Sequence, residues 1–173
     1  IVPVHEIGRM PGGMPYFTMK TVRGKSLSEI INELRILPAK ERKSVRYDER
    51  FLLRRFVQLC FGVAYAHSKG VVHRDLKPDN IMIGEYGEVQ IMDWGLAKVM
   101  SGSDISAPHN IHTVRMGDGL RTLDGSIAGT PSYMSPEQAR GEQENIGPGS
   151  DIFALGLLLA EILTLVRVFR DQG

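Results

Sequence analysis

At 173 residues the chain is one domain's worth, long enough to bury roughly 70% of the surface its unfolded form exposes. With 42% hydrophobic and 24% charged residues it reads as globular, which excludes a disordered or low-complexity protein. Lysine and arginine number 21 against 20 aspartates and glutamates, so a net charge of +1 gives no reason to expect nucleic acid as a partner, and the single cysteine, Cys60, rules out an internal disulfide and fits a reducing, cytoplasmic compartment.

In chain order, "IVPVHEI" and "MPYFTMK" flank the turn-forming "GRMPGG" and predict a β-hairpin. "KSLSEIINELRIL" places Leu27, Ile30, Ile31, Leu34 and Leu37 at helical spacing, with Ser26 as N-cap and Pro38 as the stop. A polar connection leads to a second helix, "DERFLLRRFVQLCFGVAYAHSKG", capped by Asp48 and ended by Gly70. Apolar residues cover most of its circumference after Phe56, which predicts that it is largely buried. Short extended pieces follow at "GVVH", "NIMIG" and "EVQIMD", with a tight turn at Tyr86-Gly87.

Residues 101–126 are rich in Ser, Gly, Asp, Thr and His without periodicity, and a loop of that length inside a domain is usually functional or disordered. A last helix is predicted from Ser150 to Val166. Its apolar run, Ile152 to Ala160, is about half of the roughly 18 residues that mark a membrane span, so no membrane contact is expected from this segment. The chain has no initiating methionine and ends abruptly on "RDQG", which points to a piece of a longer protein.

The chemistry concentrates in "VVHRDLKPDN", residues 71–80, which matches the pattern H-R-D-L-x-x-x-N at every fixed position. "DWG" begins 18 positions after Asp75 (93 − 75), beyond two extended pieces. "GTPSYMSPE" follows at 129–137, and "SDIFALG" at 150–156. Four such signals in this order resemble the catalytic domain of eukaryotic-like serine/threonine protein kinases, and the wording "MDWGLAK" resembles the bacterial branch.

The resemblance implies an α+β, protein-kinase-like fold, mostly the helical large lobe plus the last strands of the small lobe. Residues 1–173 would be a partial kinase domain, with 1–22 the end of the small lobe and the hinge and 23–173 a truncated large lobe. It implies ATP-dependent phosphoryl transfer to serine and threonine hydroxyls of protein substrates, with ATP and Mg²⁺ as cofactors, as part of a longer signalling kinase. The residues before the hairpin and after the last helix that a whole kinase uses would lie outside this stretch, so alone it is expected to be inactive and, with apolar surface exposed, prone to aggregate.

Site roles carry over by position. Asp75 would orient the substrate hydroxyl and accept its proton, and Lys77 would meet the γ-phosphate as a point charge. Asn80 and Asp93 would supply a neutral and an anionic oxygen to Mg²⁺. Thr130 would hydrogen-bond near Asp75 and Lys77 to shape the pocket for the acceptor hydroxyl. Lys20 and Val22 resemble the hinge that pairs with adenine, Met19 the residue guarding it, and Met82 the floor under the ring.

Val4, His73 and Trp94 match the apolar column between lobes, Asp151 the brace of the catalytic loop, and Glu137 a residue whose usual arginine partner lies far downstream. Arg74 implies activation by phosphorylation among Ser101, Ser103, Ser106, Thr113, Thr122 and Ser126, with Thr113 and Thr122, each near an arginine, favoured. The resemblance also admits dimerisation for autophosphorylation.

Plainer readings stand beside these. Asp75 or Asp93 alone would be a solvated turn acid, and Asp151 a helix N-terminal acid favoured by the dipole. His109 and His112 lack a third ligand at metal-site spacing and read as solvated loop histidines. The run "KERKSVRYDERFLLRR" reads as a solvated face before a docking patch. As whole functions, a non-catalytic pseudokinase or interaction module is the alternative, raised by Trp94 where the family carries Phe. A small-molecule kinase of the aminoglycoside type is a third reading, disfavoured by "GTPSYMSPE".

Overall fold

The structure, a computed structural model, describes residues 4–100 and 131–169. Thr130, Ser101, Ser103, Ser106, Thr113, Thr122, Ser126, His109 and His112 therefore lie outside the described residues. Strands β1 (Val4–Arg9) and β2 (Pro15–Met19) form the expected antiparallel hairpin, with a bulge between Val4 and Glu6. Its Ile7, Met14 and Phe17 side chains are exposed.

Strand β3 (Lys25–Ser26) runs directly into helix α1 (Leu27–Ile36). Ser26 caps α1 as predicted: its hydroxyl accepts from Glu29 N at 3.1 Å, and the Glu29 carboxylate accepts from Ser26 N at 2.6 Å. The strand was invisible as sequence because Lys25 and Ser26 form no apolar or alternating run. It exists because Lys25 and Ser26 pair with strand β5 (Ile81–Ile83), which pairs in turn with β6 (Val89–Ile91). Gly24 makes that junction feasible: its φ is +136°, and a Cβ there would lie 2.2 Å from the Ile83 carbonyl oxygen.

Helix α2 (Glu49–Ser68) starts on Asp48, whose carboxylate accepts from Phe51 N at 2.8 Å. It is less buried than its composition predicts. Leu52, Leu59, Val63 and Ala66 form the buried stripe, whereas Val57, Phe61 and Tyr65, on the opposite side, are 52%, 71% and 59% exposed. Counting apolar residues reveals how wide the apolar surface is, but not which part of it meets a neighbour, and among the described residues one stripe is buried against the rest of the fold.

After α2 come strand β4 (Val71–Val72), paired antiparallel with β7 (Lys98–Val99), then β5 and β6. A four-residue helix α3 (Pro136–Ala139) precedes α4 (Pro148–Thr164). Pro148 at the first turn shifts the start of α4 two residues ahead of the predicted Ser150, and left-handed Leu165 ends it before Val166. Leu155, Leu158 and Ile162 of α4 join Ile30, Ile31 and Leu34 of α1 and Leu52 and Leu59 of α2 in one core. The result is helices around small antiparallel sheets, the mixed α+β architecture that the resemblance implies.

Candidate active site

The segment between β4 and β5 has no regular ladder to hold it, so side chains fix it. Asp151, in the first turn of α4 and 1% exposed, is the main anchor. Its Oδ2 accepts from His73 N at 2.9 Å and its Oδ1 from Arg74 N at 2.8 Å, with His67 Nε2 at 2.7 Å from Oδ2. The brace expected of Asp151 is thus a set of hydrogen bonds, and its place near a helix N-terminus further favours the charge. Arg74 sits in the left-handed region, φ 72°. Its carbonyl accepts from Gln138 Nε2 at 2.6 Å, and its Nη2 donates to Gln143 Oε1 at 2.9 Å.

Asp75 follows directly. Its Oδ2 lies 3.1 Å from Lys77 Nζ and accepts from Asn80 Nδ2 at 3.1 Å. Asn80 Nδ2 also donates to the Asp75 carbonyl at 2.8 Å, closing the turn that Pro78 helps to set. Among the described residues no hydrogen bond falls on Asp75 Oδ1.

His73, 1% exposed, donates from Nε2 to the Met92 carbonyl at 2.8 Å while Asp75 N donates to its Nδ1 at 3.3 Å. Burial lowers its pKa below the ordinary value. Burial likewise lowers that of Arg74.

Asp93 is brought up from the other side. Met92 N donates to the Asn80 carbonyl at 2.8 Å, so Asp93 is one residue from a bond to the Asp75–Asn80 turn. Asp93 is left-handed (φ 50°), exposed, and caps the short 3₁₀ turn Trp94–Leu96, its Oδ1 accepting from Gly95 N at 3.2 Å. Trp94 packs edge-on against His73 with ring centroids 4.6 Å apart, and its indole N–H donates to the Ile91 carbonyl at 3.1 Å.

Of the sequence-predicted residues, the structure joins Asp75, Lys77 and Asn80 directly and ties Met92, the residue before Asp93, to the Asn80 carbonyl. Exposed Lys20 and half-buried Val22 lie in the connection from β2 to β3, Met19 ends β2, and half-buried Met82 lies on β5 opposite Ser26 and Gln90. Glu137 has a partner inside the chain: its Oε1 accepts from Ser150 Oγ at 2.6 Å, which holds the carboxyl below its usual range.

Sequence reasoning missed several residues. Gln138 was readable only as the end of a capping box, Ser135 to Gln138. Lys98 Nζ, which donates to the Gln143 and Ile146 carbonyls, carried no signal. Nor did buried Glu161, which meets Nη2 of the more exposed Arg35 at 2.6 Å and the buried Tyr133 hydroxyl.

Among the described residues no three His, Cys, Asp or Glu side chains gather as a metal cage. Mg²⁺ asks for no such cage, since one or two carboxylates plus substrate phosphates commonly hold it. Asn80 and Asp93, a neutral and an anionic oxygen donor, are hard ligands of the kind that fit it.

The protein kinase domain model matches residues 7–173. The chain is 41% identical over 176 residues to a serine/threonine-protein kinase PknD of Protochlamydia amoebophila, covering 98% of this chain and 17% of that protein. It is 37% identical over 182 residues to the PknD of Chlamydia trachomatis serovar D and 38% identical over 187 residues to that of Chlamydia muridarum, covering 99% of this chain and 19% of each relative. The chain thus spans less than a fifth of the length of these curated relatives. With the family's domain matched across residues 7–173, this chain belongs to the protein kinase domain family.

Proposed function

We propose that the protein transfers the γ-phosphoryl group of ATP to serine or threonine hydroxyls of protein substrates, as part of a longer signalling kinase. The observation that carries this reading is the Asp75 carboxylate, held on one oxygen by Lys77 and Asn80 and flanked by a backbone pinned to Asp151. That arrangement fixes a base and leaves Oδ1 for the hydroxyl proton. Lys77, already beside Asp75, brings a positive charge to the point where phosphate charge spreads. Asn80 and Asp93 would hold Mg²⁺, which when bound neutralises the phosphates. Lys20 and Val22 would pair with adenine over Met82, and Thr130 would shape the acceptor pocket.

On this reading residues 1–22 form the end of a small lobe and the hinge, and 23–173 the large lobe. Arg74, with Gln143 as its neutral partner, is the residue to receive a phosphate from the 101–126 stretch, Thr113 or Thr122 first. The pseudokinase alternative is weakened by intact Asp75, Lys77, Asn80 and Asp93. Among the described residues no helix is long and apolar enough to cross a membrane.

The test uses the full-length protein, purified and supplied with labelled ATP, Mg²⁺ and a generic protein substrate. Wild type should label serine and threonine, and Asp75→Asn should lose about 10³-fold or more of the rate. Equal labelling by wild type and Asp75→Asn, or none by wild type, defeats the proposal.

A further inference from the structure

We infer that Gln138 is a positioning residue for phosphoryl transfer, acting on Asp75 through the Arg74 peptide and linking the placement of α3 to that of the catalytic turn. The inference rests on the function proposed above.

Gln138 is 3% exposed, so its amide must find all its partners inside the protein. The two ends of that amide have chemically forced roles. Oε1 faces the Ser135 backbone N–H at 3.2 Å, a group that can only donate. Nε2 faces the Arg74 carbonyl at 2.6 Å, a group that can only accept. Reversing the amide would break both bonds, so one orientation is fixed.

The carbonyl it holds is not an ordinary one. Arg74 is a left-handed, non-glycine residue immediately before Asp75, a conformation that persists only when its surroundings impose it. Its N–H is held by Asp151 Oδ1 at 2.8 Å and its C=O by Gln138, one grip from α4 and one from α3. Without Gln138 the peptide leading into Asp75 keeps only the 3.3 Å bond from Asp75 N to His73 Nδ1, longer than the 2.6 Å bond it loses, so its orientation is less tightly set.

A cap role and a donor role make opposite demands on position 138. A helix cap of this type accepts glutamate as readily as glutamine, because only the acceptor oxygen is used. The grip on Arg74 needs an N–H, which an ionised glutamate lacks. Gln138→Glu therefore keeps the cap and loses the grip. Gln138→Met, uncharged and of similar length, removes both and controls for the new charge.

In the full-length protein, both variants should slow the single-turnover phosphoryl-transfer step by about 10- to 100-fold, with KM for ATP within about threefold of wild type, as displacement of a base predicts. Hydrogen–deuterium exchange at the peptide covering Arg74 to Leu76 should rise in both variants, while exchange in the α2 core stays as in wild type. Gln138→Glu with wild-type rate and wild-type exchange overturns the inference. If wild type itself transfers no phosphate, the function proposal fails, and the exchange comparison alone decides the grip: unchanged exchange overturns it, faster exchange supports it.

Discussion

His73 makes two bonds that only a neutral ring can make together. Nε2 must carry the proton given to the Met92 carbonyl, and Nδ1 must stay bare to accept from Asp75 N. Burial holds its pKa below the ordinary 6.5, against the Met92 carbonyl and the Asp151, Asp75 and Asp93 charges, which pull upward. A group with a depressed folded-state pKa stabilises the protein above its unfolded value and loses that contribution as pH falls. The melting temperature should therefore decline as pH drops from about 6.5 toward 5, in the window where an unfolded histidine gains its proton. In His73→Gln it should start lower and stay flatter over that interval. Equal slopes in calorimetric melts of the two proteins would assign the decline to other groups. The ordinary pKa of Glu137, 4.5, lies below this window, and the Ser150 hydroxyl lowers it further, so its titration does not overlap.

The turn carrying Asp93 shows what one substitution does to an element. Where the family has Phe, Trp94 both packs on His73 and ties its indole N–H to the last residue of β6. A net hydrogen bond of this kind contributes about 1 kcal/mol, or roughly fivefold in the population of the turn as seen. Inhibitors that require this turn to swing outward should accordingly bind Trp94→Phe about fivefold more tightly than wild type. Equal Kd values for the two in calorimetric titration would show that the tryptophan does not restrain the turn.

The same element marks the limit of what could be read beforehand. Asp93, Asp75 and Asn80 were legible because motif spacing carries them, and the Ser26 and Asp48 caps because cap chemistry is local. Strands β3 (Lys25–Ser26) and β7 (Lys98–Val99) were not, since neither stands in an apolar run as Val71–Val72 does, and each exists only through a partner elsewhere in the chain. The exposed Val57, Phe61 and Tyr65 side of α2 was misjudged for a related reason: periodicity does not report neighbours. Gln138 was legible as a cap and illegible as a grip, because the Arg74 carbonyl it holds is 64 residues away.

Across the whole molecule, α4 is the strut on which the Asp75 turn depends. It supplies core side chains to α1 and α2, the Glu161 carboxylate that meets Arg35 and Tyr133, and the Asp151 anchor. Asp151→Ala would leave the buried His73 N–H, the half-buried Arg74 N–H and His67 without their acceptor. That should lower stability by about 3 kcal/mol, as measured by urea denaturation. A loss under about 1 kcal/mol would mean that the turn holds its shape unaided.

The anchor also imposes a timetable on synthesis. Arg74 and Asp151 are 77 residues apart in the chain. At about 5–20 residues per second a ribosome needs roughly 4 to 15 s to travel that distance. For that interval the nascent chain already contains Asp75 but not the residue that anchors the loop around it. The order of residues along the chain therefore delays the loop, which takes its anchored form only once α4 has emerged and docked.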